Sequence, residues 1–318
     1  MPQVFGLADR WSRVRVYLLT LMMLFISGCV TDQRAALPYV DLSQRQPIPS
    51  VSGEQPTPLR VAVAAVISAK GTAESYQPLL DYLAMKLQRP VQLIQRRTYA
   101  EVNQLIANDQ VDVAFVCTSA YVIGHRDFGM QLLAVPQVNG QTVYYSWLIV
   151  PADSQAKSIS DLRGKKFAFT DPWSTSGRVV PTALVKALGE SPETFFGRIL
   201  YTYSHDDAIR AVASRVADGA AVDSLVYQFA TARESWLGKQ TRVIYRSAPF
   251  AAPPVVASPH MRPQLRAELQ RLLLTMADDP VALPALRALG IERFVMIEDA
   301  AYDSVREVQA QAGVWEPK

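Results

Sequence analysis

"KKFAFTDPWSTSGRVVPTALVKALG", residues 165–189, contains the parts of one α/β unit in order. Lys166 to Thr170 read as a short apolar strand. Val180, Leu184, Ala187 and Leu188 recur on one helical face, and Gly189 closes the pattern. Between strand and helix stand Ser174, Thr175 and Ser176. One hydroxyl is enough to cap a helix. Three, together with the free backbone N–H groups of a helix start, make a cup suited to a small oxyanion. Pro181 lies inside the helical pattern, so the helix is expected to begin near Gly177 or to kink at the proline.

The same alternation extends in both directions. "LRVAVAAVI" (59–67) is a valine-rich strand, and "SYQPLLDYLAMKLQ" (75–88) repeats Leu80, Leu83 and Leu87 at helical spacing. "VQLIQ" follows as a strand. Thr98 and Glu101 form a capping-box pattern that starts the next helix, and "VDVAFV" (111–116) and "YYSWLIVPAD" (144–153) read as strands. Downstream, "HDDAIRAVASRVADG" (205–219) is helical, with Asp206 and Asp207 in its positive first turn and Gly219 past its end. "AAVDS" is a strand ending at Asp223. "APFAAPPVVA" (248–257) is a proline-rich crossing into a final strand, and helices follow from about Arg262 and Asp299.

Strands and helices alternating at this spacing give an α/β fold with mainly parallel sheets. Crossings near 148 and 249 divide it into two lobes, residues 59–148 with 249–318 and residues 149–248, hinged around a cleft. Ligands of open α/β sheets bind outside the carboxyl ends of the strands. The candidates there are Cys117, Thr118, Ser119 and Tyr121 in the first lobe. In the second they are Ser174, Thr175, Ser176, His205 and Asp223.

The amino-terminal segment has a different character. Arg10, Arg13 and Arg15 precede the apolar run "VYLLTLMMLFI" (16–26), which is short for a bilayer span and ends in "ISGC". This resembles a bacterial lipoprotein cleavage box and implies removal of residues 1–28 and lipidation of Cys29. A plain secretory leader or a membrane anchor is the alternative. Residues 29–58 then form a proline-rich tether holding the domain off a membrane. The location expected is the periplasm, as an anchored lipoprotein. The net charge of +3 includes +2 from the leader, which argues against a nucleic-acid partner. With Cys29 lipidated, Cys117 is the one remaining thiol, so no internal disulfide is expected. No cofactor or metal site is expected either.

"SISDLRGKKFAF", "DPWSTSG", "YSHDDAIRAVASRVADGAAVDS" and "AYDSVREV" occur in this order. The set resembles the periplasmic phosphate, phosphite and phosphonate binding proteins, the phosphonate-transporter type of substrate-binding protein. The resemblance implies a two-lobed periplasmic-binding-protein fold (type II) and a small oxyanion ligand. It also implies a binding role, not an enzymatic one, with an ABC permease or a membrane sensor histidine kinase as partner. The matching ligand residues are Ser174, Thr175, Ser176, Tyr121, His205 and Asp223, with Tyr76 as a further match. Asp223 would accept a hydrogen bond from a protonated ligand oxygen or an amine.

Each residue also has a plainer reading. Ser174 and His205 could cap helices, Asp223 could satisfy loop N–H groups, and Tyr76 and Tyr121 could pack at a cleft edge. The stretch "AFVCTSAYV" resembles the arsenite-sensing branch of the family, in which the cysteine binds As(III). Cys117 could equally be a small core residue. A more distant alternative makes Cys117 a nucleophile with His125 or His205 as its base.

Overall fold

The computed structural model describes residues 56–314; the leader, Cys29 and most of the tether lie outside them. Thirteen strands are described: β1 (Leu59–Val63), β2 (Val91–Gln95), β3 (Val113–Phe115), β4 (Gln131–Gln137), β5 (Val143–Tyr144), β6 (Ser146–Pro151), β7 (Lys166–Phe169), β8 (Arg198–Tyr201), β9 (Gly219–Asp223), β10 (Thr241–Arg246), β11 (Phe250–Ala251), β12 (Val255–Ala257) and β13 (Arg293–Val295). The first lobe holds a sheet ordered β13-β4-β12-β3-β1-β2 and the second a sheet ordered β10-β6-β9-β7-β8. The chain leaves the first sheet through β5 and returns through β11. These two strands pair with each other, Tyr144 opposite Phe250 and Val143 opposite Ala251. Residue 148 lies within β6, so the outward passage falls at Tyr145.

Each sheet is mixed, which corrects the expectation of mainly parallel sheets. β1, β2 and β3 run parallel, as do β7, β8 and β9. The strands that come from the crossings, β12 and β6, return without a helix and pair antiparallel, and β4, β13 and β10 add to them in the same way. A parallel neighbour needs a long crossover, whereas a direct return favours an antiparallel one.

Alternate residues of β1 supply the two faces of the first sheet. Leu59, Val61 and Val63 face α1 (Ala69–Leu87), where Leu79, Leu80 and Leu83 are buried, and Ala62 faces the other side. That other side packs against α2 (Tyr99–Ala107), α3 (Thr118–Phe128) and, from the carboxyl-terminal region, Val305 and Val308. α1 begins six residues before the apolar period predicts it. Its first two turns turn Thr72 and Ser75 inward instead of hydrocarbon, so no hydrophobic repeat marks them. The capping box at Thr98 and Glu101 forms as expected.

In the second lobe a π-helical turn, Thr175–Val179, leads into α4 (Val180–Lys186). Pro181 sits in the first turn of α4, where its missing N–H costs little. α5 (His205–Ala213) is shorter than its sequence pattern, because Arg215 takes a left-handed conformation (φ 61°) and Gly219 already belongs to β9. α6 (Ser224–Arg233), β4, β8, β10 and β13 add elements that the sequence pattern does not mark. α7 (Pro263–Thr275), α8 (Leu283–Leu289) and α9 (Asp303–Ala312) follow, with β13 between the last two, so the strand at 255–257 is not the last one. Among the described residues no helix is long and apolar enough to cross a membrane.

Gly177 fixes how closely the π turn approaches β7, since a Cβ there would run into the Thr170 side chain. Gly177→Ala is expected to destabilise the protein by about 1–3 kcal/mol, measured as a lower Tm. Gly71→Ala, in α1 with only ordinary contacts (3.4 Å to Ser68 Oγ), should hold or raise it. Equal melting temperatures for the two variants would contradict this packing.

Candidate functional site

Two helix beginnings face each other across the cleft. In the second lobe β7 ends at Phe169, and Ser174 caps the π turn by accepting from the Gly177 N–H at 3.0 Å. In the first lobe β3 ends at Phe115, and Cys117 occupies the cap position of α3. The two starts meet at one oxygen, Oγ1 of Thr175. It accepts from the Ser119 N–H at 3.0 Å and lies 2.6 Å from Ser119 Oγ and 2.7 Å from Thr118 Oγ1. Thr118 Oγ1 in turn is 2.8 Å from the Tyr144 hydroxyl, which the inter-lobe ribbon supplies. Cys117 Sγ stands 3.8 Å from Thr175 Oγ1. All of these groups are buried. The cluster is a set of rotatable donors against two positive helix ends.

His205 and Asp223 hold the second side of the cup. His205 is the first residue of α5, and Ser204 takes the cap position before it. Its Nδ1 accepts from the Asp223 N–H at 3.0 Å, so Nε2 carries the proton and points at Ser174 Oγ, 3.4 Å away. Burial pushes its pKa down to about 4, so the ring is neutral at neutral pH. Ser174 Oγ therefore accepts from Gly177 and His205, leaving its own hydroxyl hydrogen to donate elsewhere. Asp223 Oδ1 caps α6, accepting from Leu225 N–H at 2.7 Å and Val226 N–H at 3.3 Å. Burial raises its pKa to about 7. Ser176 contributes its carbonyl to the Ser146 hydroxyl at 2.7 Å, tying the turn to β6.

Two site residues escape the sequence reading. Tyr99, first residue of α2, has a fully buried hydroxyl with no hydrogen-bond partner, and its electrostatic neighbours include Cys117, Asp171, Asp223 and Tyr144. A buried orphan hydroxyl costs free energy unless something completes it. Tyr144 is the other. Burial raises both pKa values far above the ordinary tyrosine range, so both remain donors. The available signals were position alone: Tyr99 follows the capping-box threonine and Tyr144 opens a crossing.

Tyr121 and Tyr76 lie outside the cup. The Tyr121 hydroxyl donates to Asp299 Oδ1 at 2.8 Å, and its ring packs on Tyr302 at 4.6 Å, so its side chain is engaged with the carboxyl-terminal region. Tyr76 stands edge-on to Phe115 at 4.9 Å and lines a neighbouring cavity with Asp223. Among the described residues Cys117 Sγ is hydrogen-bonded to Thr175 and to no histidine. His205 is committed to Asp223 and Ser174, and His125 Nδ1 lies 3.0 Å from the Met130 carbonyl oxygen. Burial also pushes the thiol's pKa up, away from the reactive thiolate.

The lobes touch at further points around the cup. His205 N–H donates to the Val66 carbonyl at 2.9 Å, Ser68 N–H to Asp206 at 2.8 Å and Tyr99 N–H to Asp171 at 3.1 Å. Arg97 stacks over Tyr203 at 4.0 Å beside a cavity of about 430 Å³ that also admits Arg96. The cleft is thus closed over the cup.

The chain matches, over residues 61–302, the family model described as ABC transporter, phosphonate, periplasmic substrate-binding protein. It is 27% identical over 270 residues to the phosphate-import protein PhnD of Mycolicibacterium smegmatis, covering 77% of this chain and 83% of that protein. Among solved structures it resembles the binding protein component of a phosphonate ABC transporter from Pseudomonas aeruginosa. That match has a TM-score of 0.75 at 21% identity and covers 80% of this chain and 86% of the other. PhnD1 from Prochlorococcus marinus, solved with methylphosphonate, matches with a TM-score of 0.72 at 17% identity, covering 80% and 98% of the two chains. These structural likenesses establish the two-lobed fold.

Asp223 gives the site a pH signature in stability. Its folded pKa of about 7 lies above the ordinary 3.8, so the folded state is unpenalised below the ordinary value and loses stability as pH rises through 7. Asp223→Asn keeps a capping side chain and removes that loss. The variant should therefore gain stability relative to the parent between pH 4 and pH 8. At about 1.4 kcal/mol per pKa unit the gain approaches ~4 kcal/mol. Denaturant unfolding at several pH values measures it, and a difference independent of pH would contradict the buried carboxyl.

Proposed function

Because the chain belongs to the family of phosphonate ABC-transporter periplasmic substrate-binding proteins, we propose that it binds phosphate, phosphite or a phosphonate in the cup between its lobes and delivers it to an ABC permease. The observation that carries this reading is Thr175 Oγ1, bonded to the start of α3 with the orphan Tyr99 hydroxyl beside the same cluster. An anion placed there would receive donors from hydroxyls that can rotate towards it: Ser174, Thr175, Ser176, Thr118, Ser119, Tyr99 and Tyr144. Helix dipoles from both lobes favour its charge. No lysine or arginine is among these donors, so the charge would be held by oriented neutral dipoles. His205 would act through Ser174, and Asp223 would accept from a protonated ligand oxygen.

Ligand would hold the lobes together, and release would open them about β5 and β11. The division into residues 59–148 with 249–318 and residues 149–248 is proposed on the same footing. So is the lipid on Cys29, which would keep the protein at a periplasmic membrane surface. What supports the lipid is the cysteine placed directly after "ISG".

A second reading has one observation in its favour, the approach of Cys117 Sγ to 3.8 Å from Thr175 Oγ1. Neutral arsenious acid would gain little from helix dipoles and much from an As–S bond, and such a protein would partner a sensor histidine kinase. Under this reading Cys117→Ser abolishes arsenite binding, whereas under the first it leaves phosphate binding nearly unchanged.

Calorimetric titration of the full chain with phosphate, phosphite and methylphosphonate tests the first reading. Tyr99→Phe should weaken binding by about 10- to 100-fold, the worth of one hydrogen bond to a charged group, while raising Tm. Tyr121→Phe, whose hydroxyl serves Asp299, should leave affinity unchanged. The reverse order of the two variants, or no heat with any of the three anions, would contradict the proposal.

A further inference from the structure

A cavity of about 240 Å³ adjoins the cup and belongs to both lobes. Phe115, Pro253, Pro254 and Phe294 form its wall on one side, Leu225 and Phe229 on the other. It touches the cup at three places. Val116 precedes Cys117 in the chain, the Val66 carbonyl accepts from the His205 N–H, and the Asp223 N–H holds His205 Nδ1. The polar lining is Ser75, Tyr76, Asp223 and Gln228, and no lysine or arginine contributes. Asp223 is the one charged residue in the wall. Its Oδ1 accepts from two N–H groups at the start of α6, and under the oxyanion reading above its other oxygen accepts from a protonated ligand oxygen.

We infer that the ligand is an organophosphonate whose phosphorus carries a compact apolar substituent, seated in this cavity while the oxygens occupy the cup. The inference rests on the oxyanion reading above and narrows it. A bare phosphate fills the cup and leaves the hydrocarbon wall without a partner. A short alkyl or phenyl group removes that wall from water, and each added methylene gains roughly fourfold in affinity. An aminoalkyl group of the same length must bring an ammonium ion against phenylalanine, leucine and proline side chains, which is costly without dedicated carboxylates. Closure of the lobes completes the cavity, because Leu225 and Phe229 come from α6 and the other walls from the first lobe. A substituent that fits therefore also favours the closed form.

The test is a titration series on the full chain with phosphate, methylphosphonate, propylphosphonate, phenylphosphonate and 2-aminoethylphosphonate. Propyl and aminoethyl substituents have the same number of non-hydrogen atoms and differ in charge. Propylphosphonate should bind at least tenfold more tightly than methylphosphonate and at least tenfold more tightly than 2-aminoethylphosphonate. Val138→Trp, at a lining residue of the cavity, should erase the advantage of propyl over methyl and leave phosphate affinity intact; Leu289→Trp, at another lining residue, serves as a second variant. A flat series, or preference for the aminoethyl compound, overturns the apolar substituent while phosphate binding keeps the cup. Absence of binding by every member overturns the cup as well.

Discussion

The hydroxyl of Thr175 is the point on which the closed molecule turns. It accepts from the Ser119 N–H and shares hydrogen bonds with Thr118 and Ser119, so one side chain of the second lobe satisfies the first turn of a helix in the other. A helix start otherwise presents unfilled N–H groups and a positive end. Much of what places Thr175 there follows from local sequence. β7 aims the chain at the cleft, Ser174 caps the turn, and Gly177 lets the turn lie against Thr170. The Tyr144 hydroxyl extends the network to the ribbon between the sheets, so the cup and the crossing share one chain of bonds.

The electrostatics of the cup are those of neutral dipoles. Burial keeps His205 uncharged and raises the carboxyls of Asp223 and Asp171, to about 7 and about 6. A fixed cation in such a place would need a permanent partner in the absence of an anion. Hydroxyls have no such requirement, because they can pair with one another and then turn to a ligand. The bonds among Thr118, Ser119, Thr175 and Tyr144 are of this kind. Each acid is held by backbone donors: Asp171 accepts from the Tyr99 and Trp173 N–H groups, Asp223 from those at α6.

The sequence made the alternation of strands and helices legible, and with it the second-lobe half of the cup. Ser174 to Ser176, His205 and Asp223 stand immediately after strands or at helix starts, where short-range pattern is informative. Long-range pairing was not legible. That β12 and β6 run antiparallel depends on how the chain returns through the crossings, which no local period records. The side-chain direction of Tyr121 was equally hidden. It is one helical turn from Thr118, yet faces Asp299 and Tyr302. Tyr99 is the converse case, a residue inside a helical pattern whose hydroxyl projects to the centre only because α2 packs beside α3. The cavity beside the cup draws its walls from seven separate segments, so only the assembled fold reveals it.

A crystal structure of the full chain grown with methylphosphonate tests the cup most directly. The account predicts the phosphonate oxygens between the start of α3 and the π turn, within hydrogen-bond distance of the Ser119 N–H and the hydroxyls of Thr175, Ser176 and Tyr99. The methyl group should point towards Phe115 and Leu225. Density for the anion at Arg96 and Arg97, with the bond between Thr175 and Ser119 undisturbed, would contradict it.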